Sequence, residues 1–186
     1  MAPLFDPDVL HDIAKETLGT PTDQLYSTLA RKLEVRYPGH INHKEKWLFN
    51  NAGGAMGAMA LFHCSLTEYI ILFGTPIGTT GHSGRYRSHV YDAMLEGEMW
   101  CYHPGSLKKT IYQPGDMAHL GPSDIKGYRV PDGAWMLEYA QGFIPQMLPF
   151  GLADTLFSTL DWRTVAGTMW QYGTLTVREL LKHGKI

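Results

Sequence analysis

WMLEYAQG, residues 135–142, reads as a β-strand that is apolar on both faces, yet it carries Glu138 in its middle. An ionised carboxylate is almost never fully buried unless a partner neutralises it or it keeps its proton. In AWMLEYA (134–140), Glu138 shares one strand face with Met136 and Ala140, while Trp135, Leu137 and Tyr139 point the other way. The same alternation in RYRSHVYDAM (85–94) places Arg85, Arg87, His89 and Tyr91 on a polar face. Tyr86, Ser88, Val90, Asp92 and Met94 form the more apolar one. Two carboxylates, Asp92 and Glu138, are therefore expected on core-directed faces of different strands, able to converge in one apolar cavity if a barrel closes.

Around these strands, turn signals recur every few residues from Trp47 to Gln141: Pro76, Gly78, Gly81, Gly84, Pro104-Gly105, Pro114-Gly115, Gly121-Pro122 and Pro131. EMWCY, LKKTIY and DMAHL fit strands between them. This spacing predicts an all-β barrel or jelly roll over residues 45–142 rather than alternating βα units. The turn YQPGDMAHLGP (112–122) resembles, weakly, that of the cupin type of small barrel. Residues 1–40 read as two helices. Asp6-Pro7 caps the first, Gly19 closes it, and Pro21 opens a second with Leu25, Leu29, Leu33 and Val35 at helical spacing. Residues 150–183 return to helix, apolar around nearly the whole circumference. Such helices lie in a membrane interface, or pack on the barrel or a neighbouring subunit. Trp162, Trp170 and Tyr172 beside Arg163 and Arg178 suit the interface. The expectation is one α+β domain over 1–186: a cupin-like barrel with two N-terminal and two amphipathic C-terminal helices packed around it.

Composition excludes several functions. Charged residues are 18% and the net charge is −2 without a basic run, which argues against a nucleic-acid surface. Met1 to Pro7 has no basic start of a secretory signal. The uncharged run from Trp47 to Thr67 is broken by asparagine, glycine and His63, so no convincing membrane span is expected. Cys64 and Cys101 fit no metal or redox spacing and read as buried thiols. The nine histidines include no HxH pair; His63, His82, His89, His103 and His119 are scattered, and no catalytic metal is expected. NAGGAMG lacks a nucleotide-loop pattern, and no serine sits in a nucleophile elbow.

Two acids close together in low dielectric cannot both ionise cheaply, so one keeps a proton while the other stays charged. Such a pair can protonate a substrate and stabilise the resulting cation, and would bind amines that imitate that cation. The plainer alternative is that Asp92 is tied by backbone or tyrosine hydrogen bonds and is structural. Glu96 and Glu98, in LEGEMW, continue the parity of Asp92, although Gly97 between them reads as a bulge that resets direction. Glu68, entering an apolar strand, is expected at an edge or in solvent.

FNNAGGAMGAMALFHCSLTEYIILFGT (49–75), GHSGRYRSHVYDAMLEGEMW (81–100), PDGAWMLEYAQGFIP (131–145) and LPFGLADTLFSTLDW (148–162) closely resemble the fungal sterol Δ8–Δ7 isomerases. That family is homologous to the type-one sigma receptors of animals, and the resemblance runs from about Phe5 to the C-terminus. It implies a cupin-like barrel that holds its ligand inside, assembles as a homotrimer and works at the endoplasmic reticulum membrane. It places the ligand-contacting acids on Asp92 and Glu138, puts Tyr69 and Phe73 in the pocket lining, and sets Trp135 beside Glu138. Met94, Glu96 and Glu98 complete the expected substrate-binding set. The implied reaction shifts a ring double bond of a sterol by protonation at carbon 9 and deprotonation at carbon 7, needing no redox or metal cofactor. Cationic amphiphiles are the implied inhibitors. The family's usual N-terminal membrane helix has no match within these residues. Either the chain starts after it, or membrane contact falls to the C-terminal helices. A non-catalytic receptor binding cationic amphiphiles is the competing class, and a soluble isomerase acting on a polar metabolite a third.

Overall fold

The computed structural model describes residues 3–184. Helix α1 (Pro7–Lys15) starts as expected, with the Asp6 carboxylate accepting the Asp8 amide at 2.9 Å and Pro7 at the first helical position. A short 3-10 turn (Thr22–Gln24) leads into α2 (Leu25–Arg36), which buries Leu25, Leu29 and Leu33. Val35, grouped with them from sequence, is 77% exposed. It lies two residues past Leu33, about 200° round the helix, and misses the buried stripe.

Among the described residues, ten strands follow in two antiparallel sheets. The larger contains β1 (Trp47–Ala52), β2 (Ala55–Cys64), β3 (Glu68–Thr75), β5 (His89–Glu96), β8 (Met117–Leu120) and β10 (Ala134–Gln141), in the order β1-β2-β3-β10-β5-β8. The smaller contains β4 (Thr79–His82), β6 (Met99–Tyr102), β7 (Thr110–Tyr112) and β9 (Gly127–Val130), in the order β4-β9-β6-β7. The strand expected over LKKTIY shrinks to its last three residues, and Leu107 is fully exposed in the preceding turn. The expected barrel takes the form of two facing sheets; among the described residues no single hydrogen-bonded ladder closes them into a ring.

Three layers explain why β10 is apolar on both sides. Its odd residues Leu137 and Tyr139 pack outward with Phe62, Ile70 and Leu72 against Phe5, Ile13, Leu29 and Leu33 of the N-terminal segment. Its even residue Met136 packs inward with Met94, Met99, Cys101 and Val130, which joins the two sheets. Each such fully buried side chain contributes about 1.5–3 kcal/mol of transfer free energy. Cys64 and Cys101 are both buried, free thiols.

The C-terminal part forms α3 (Leu148–Phe157) and α4 (Trp162–His183). Asp154 of α3 accepts the Gly54 amide at 2.7 Å, which fastens α3 to the turn between β1 and β2. Helix α4 is inverted relative to an ordinary surface helix. Thr168, Gln171 and Glu179 are its buried residues, whereas Trp162, Trp170 and Leu181 are 60%, 72% and 79% exposed. No described helix is long and apolar enough to cross a membrane.

Candidate active site

Strand pairing puts the two acids side by side. Glu138 of β10 is the direct cross-strand partner of Asp92 of β5, as Met136 is of Met94 and Ala140 of Val90. Directly opposed residues have Cβ atoms about 4.5–5.5 Å apart and project to the same face. That face lines a cavity of about 190 Å³, measured as space open to the centres of water-sized molecules. One water needs about 10–15 Å³ by this measure, so the cavity accommodates a ligand far larger than solvent. Ile71, Phe73 and Met136 line it from the larger sheet, Met99 and Tyr128 from the smaller. Phe150 of α3 and Thr168 and Tyr172 of α4 lie across it as a roof.

Two further residues complete the polar centre. The Tyr69 hydroxyl donates to Glu138 Oε1 at 2.5 Å. Tyr69 is expected in the lining from the resemblance, and the register explains its reach: Glu138 is paired with Ile71, and Tyr69 is two residues along, on the same face. The other is Lys126, whose Nζ lies 2.5 Å from Asp92 Oδ2 with both side chains 7% exposed. Sequence reading missed it. The available signal was parity again: Lys126, Tyr128 and Val130 share one face of β9 and its approach, and Tyr128 and Val130 point inward. Ser83, in the HSGRY turn, holds Lys126 in place. The Ser83 amide donates to the Lys126 carbonyl at 3.0 Å, and the Lys126 amide donates to Ser83 Oγ at 2.9 Å. Gly84 in the same turn has φ +79°, and a Cβ there would collide with the Tyr86 ring, which lines the cavity.

The electrostatics follow from burial. Glu138 keeps some accessible surface, but that surface belongs to the cavity. Burial first, and the charge of Asp92 second, push its carboxyl up to about 7, with the Tyr69 hydrogen bond and Lys126 pulling the other way. Burial disfavours the Lys126 ammonium, but Asp92 first, with Cys101 and Glu138, together offset this and hold its pKa above the ordinary lysine value. Burial, then the neighbouring Glu138, drives the Tyr69 phenol well above its usual range, so it remains a donor. Near neutral pH the centre is thus a Lys126–Asp92 ion pair beside a carboxyl that exchanges its proton, with Tyr69 occupying one oxygen of that carboxyl.

The remaining expected residues fall elsewhere. Phe73 lines the cavity. Met94 is buried between the sheets without reaching the lining. Trp135 is on the opposite face of β10, packed toward the N-terminal layer and edge-on to Trp47 at 5.3 Å. Glu96 is exposed and accepts from the Thr22 hydroxyl at 2.6 Å; Glu98 accepts from the Trp100 indole at 2.9 Å. Neither glutamate joins the pair: the β5–β10 register slips by one residue between Met94 and Glu96, which leaves Glu96 opposite Trp135, and Gly97, at φ +70°, then turns the chain into the other sheet before Glu98. A Cβ at that position would clash with the Gly133 carbonyl. Glu68, expected at an edge or in solvent, is 0% exposed. It accepts the Leu4 and Phe5 amides at 3.0–3.1 Å and the Tyr139 hydroxyl at 2.6 Å, anchoring the N-terminal segment.

The family described as ERG2 and Sigma1 receptor like protein matches residues 2–184. The C-8 sterol isomerase ERG2 of Gibberella zeae is 44% identical over 183 residues, covering 97% of this chain and 76% of that protein. The sigma non-opioid intracellular receptor 1 of Gallus gallus is 41% identical over 170 residues, covering 90% of this chain and 77% of that protein. A solved RmlC-like cupin from Shewanella frigidimarina aligns with 54% of this chain and 86% of its own at a TM-score of 0.44 and 16% identity.

Proposed function

The chain belongs to the ERG2 and Sigma1 receptor like family, and on that premise we propose that it is a C-8 sterol isomerase, moving a ring double bond from Δ8 to Δ7. The observation that carries this reading is the unequal acid pair: Asp92 in a buried salt bridge with Lys126, and Glu138 able to hold a proton near pH 7, in one apolar cavity.

The pair divides the work. Glu138 transfers its proton to carbon 9 of the Δ8 sterol, the alkene electrons form the new C–H bond, and the positive charge develops at carbon 8. An alkene is a weak base, so the cation needs fixed negative charge in a site poor in water. A carboxylate about 4 Å from that cation contributes about 4 kcal/mol at an effective dielectric constant of about 20, or about a thousandfold in rate. Lys126 balances the charge of Asp92, so the net negative charge facing the cation is the Glu138 carboxylate left by proton transfer, with the oriented Asp92–Lys126 dipole beside it. The carbon 7 proton then returns to the pair as the Δ7 double bond forms. Return to Glu138 restores the resting state directly, while return to Asp92 needs one transfer across the pair.

The rest of the assignment rests on the family resemblance together with the inverted helix. The apolar residues that α4 turns outward suit contact with a membrane surface, from which a sterol would be supplied beneath the α3–α4 roof. Residence at the endoplasmic reticulum membrane and homotrimeric assembly are part of the proposal, as is inhibition by cationic amphiphiles. The same cavity in a non-catalytic receptor would hold an amine against Asp92, but in this chain Lys126 already occupies that carboxylate. Sterol profiling of isomerase-deficient fungal cells tests the assignment. Expression of this chain is expected to restore Δ7 sterols, and the Glu138→Gln and Asp92→Asn variants to leave Δ8 sterols accumulating. Δ7 production by both variants at the level of the parent would refute the roles of the two acids.

A further inference from the structure

Where the end of α4 meets the connection between α2 and β1, three side chains unused by the mechanism converge. His63 Nδ1 lies 3.0 Å from the His40 carbonyl oxygen. A carbonyl only accepts, so Nδ1 carries the ring hydrogen and Nε2 presents its lone pair. Among the described residues that Nε2 has no hydrogen-bond partner, and it is buried in a residue 1% exposed. Buried polar atoms are nearly always satisfied, so this one calls for a ligand. Around it stand His40 and Glu179; one ligand-capable atom from each of the three residues lies within 4.8 Å of the others. Glu179 is 2% exposed, and its Oε2 is 2.7 Å from His40 Nδ1.

We propose that His40, His63 and Glu179 form a binding site for a divalent transition metal of the zinc class, with water in the fourth position. Two imidazole nitrogens and one carboxylate are a donor set that zinc uses, with metal–ligand distances of about 2.0–2.2 Å. The hydrogen bond from His63 Nδ1 to a backbone carbonyl is the outer-sphere contact that orients a metal-binding histidine. The His40 side chain is 17% exposed, so an ion reaches the cluster past that ring. The metal replaces the hydrogen between His40 and Glu179. That proton leaves to solvent when His40 enters protonated, and moves to the other ring nitrogen when it enters neutral. Glu179 belongs to α4, His63 to β2 and His40 to the α2–β1 connection, so the ion ties the roof helix to the larger sheet. The site is independent of the isomerase assignment.

The test uses the full chain stripped with a chelator and titrated with zinc chloride, read by calorimetry and by zinc-edge X-ray absorption. The expected result is one zinc per chain with two imidazole ligands and a raised melting temperature. Affinity should fall about tenfold or more in Glu179→Gln and His63→Gln. It should be unchanged in His119→Gln, which disrupts the exposed His89–His119 contact at 2.9 Å, the competing pair on the surface. Absence of stoichiometric zinc in the parent chain would overturn the proposal whether or not the variants fold. So would binding that survives in both cluster variants, or that is lost in His119→Gln.

Discussion

Replacing Glu138 with glutamine should damage catalysis and stabilise the protein at the same time, and the size of the second effect follows from the site. Folding carries this carboxyl from its ordinary 4.5 to about 7. Between those values the folded chain holds a proton that the unfolded chain has released, so stability falls as pH rises through the window, and the loss is complete above it. That change corresponds to about 3 kcal/mol at pH 8 and about 1 kcal/mol at pH 5. Water entering the cavity screens part of this, leaving about 2 kcal/mol as the expected gain at pH 8. Glutamine cannot ionise, and its carbonyl oxygen can still accept from Tyr69. In urea the variant's midpoint should therefore exceed the parent's by about 1 M at pH 8 and by much less at pH 5. Isomerisation by the same preparation should fall about a hundredfold or more, the usual worth of a general acid. A midpoint difference independent of pH, or a variant less stable than the parent at pH 8, would show that Glu138 is not the strained, proton-holding member of the pair.

Other consequences are as direct. Lys126→Met strands Asp92 without its cation, and should cost about 3–5 kcal/mol in denaturant. The alkaline limb of the pH–rate profile, set by loss of the Glu138 proton, should move upward because Lys126 lowers that pKa; amine binding should tighten as Asp92 becomes available. Glu68→Gln weakens the charge-assisted bonds to Leu4, Phe5 and Tyr139, and should lower stability by about 2–4 kcal/mol while turnover per folded molecule is retained. Trp170→Glu with Leu181→Glu should reduce sedimentation with phospholipid vesicles about tenfold or more without changing the melting temperature, since both side chains are largely exposed.

What the sequence determined by itself was whatever depends on neighbouring residues. The two-residue period of a strand is local, so Asp92, Glu138 and the faces of β5 and β10 were legible before any contact was known. The Asp6 cap of α1 and the helical spacing of Leu25, Leu29 and Leu33 were legible for the same reason, and long blocks of resemblance pointed to the family. Parity failed at the end of β5 and where the chain changes sheets: a register slip before Glu96 and the turn at Gly97 before Glu98 redirect the two side chains, and periodicity holds no record of either. Only the tertiary structure decided which charges meet. It paired Lys126 with Asp92 across 34 positions, buried Glu68 beneath Leu4 and Phe5, and brought Glu179 to His40 across 139. The physical reason is that a charge's cost is set by the dielectric and partners that folding supplies, and those come from segments that alternation along one strand cannot see.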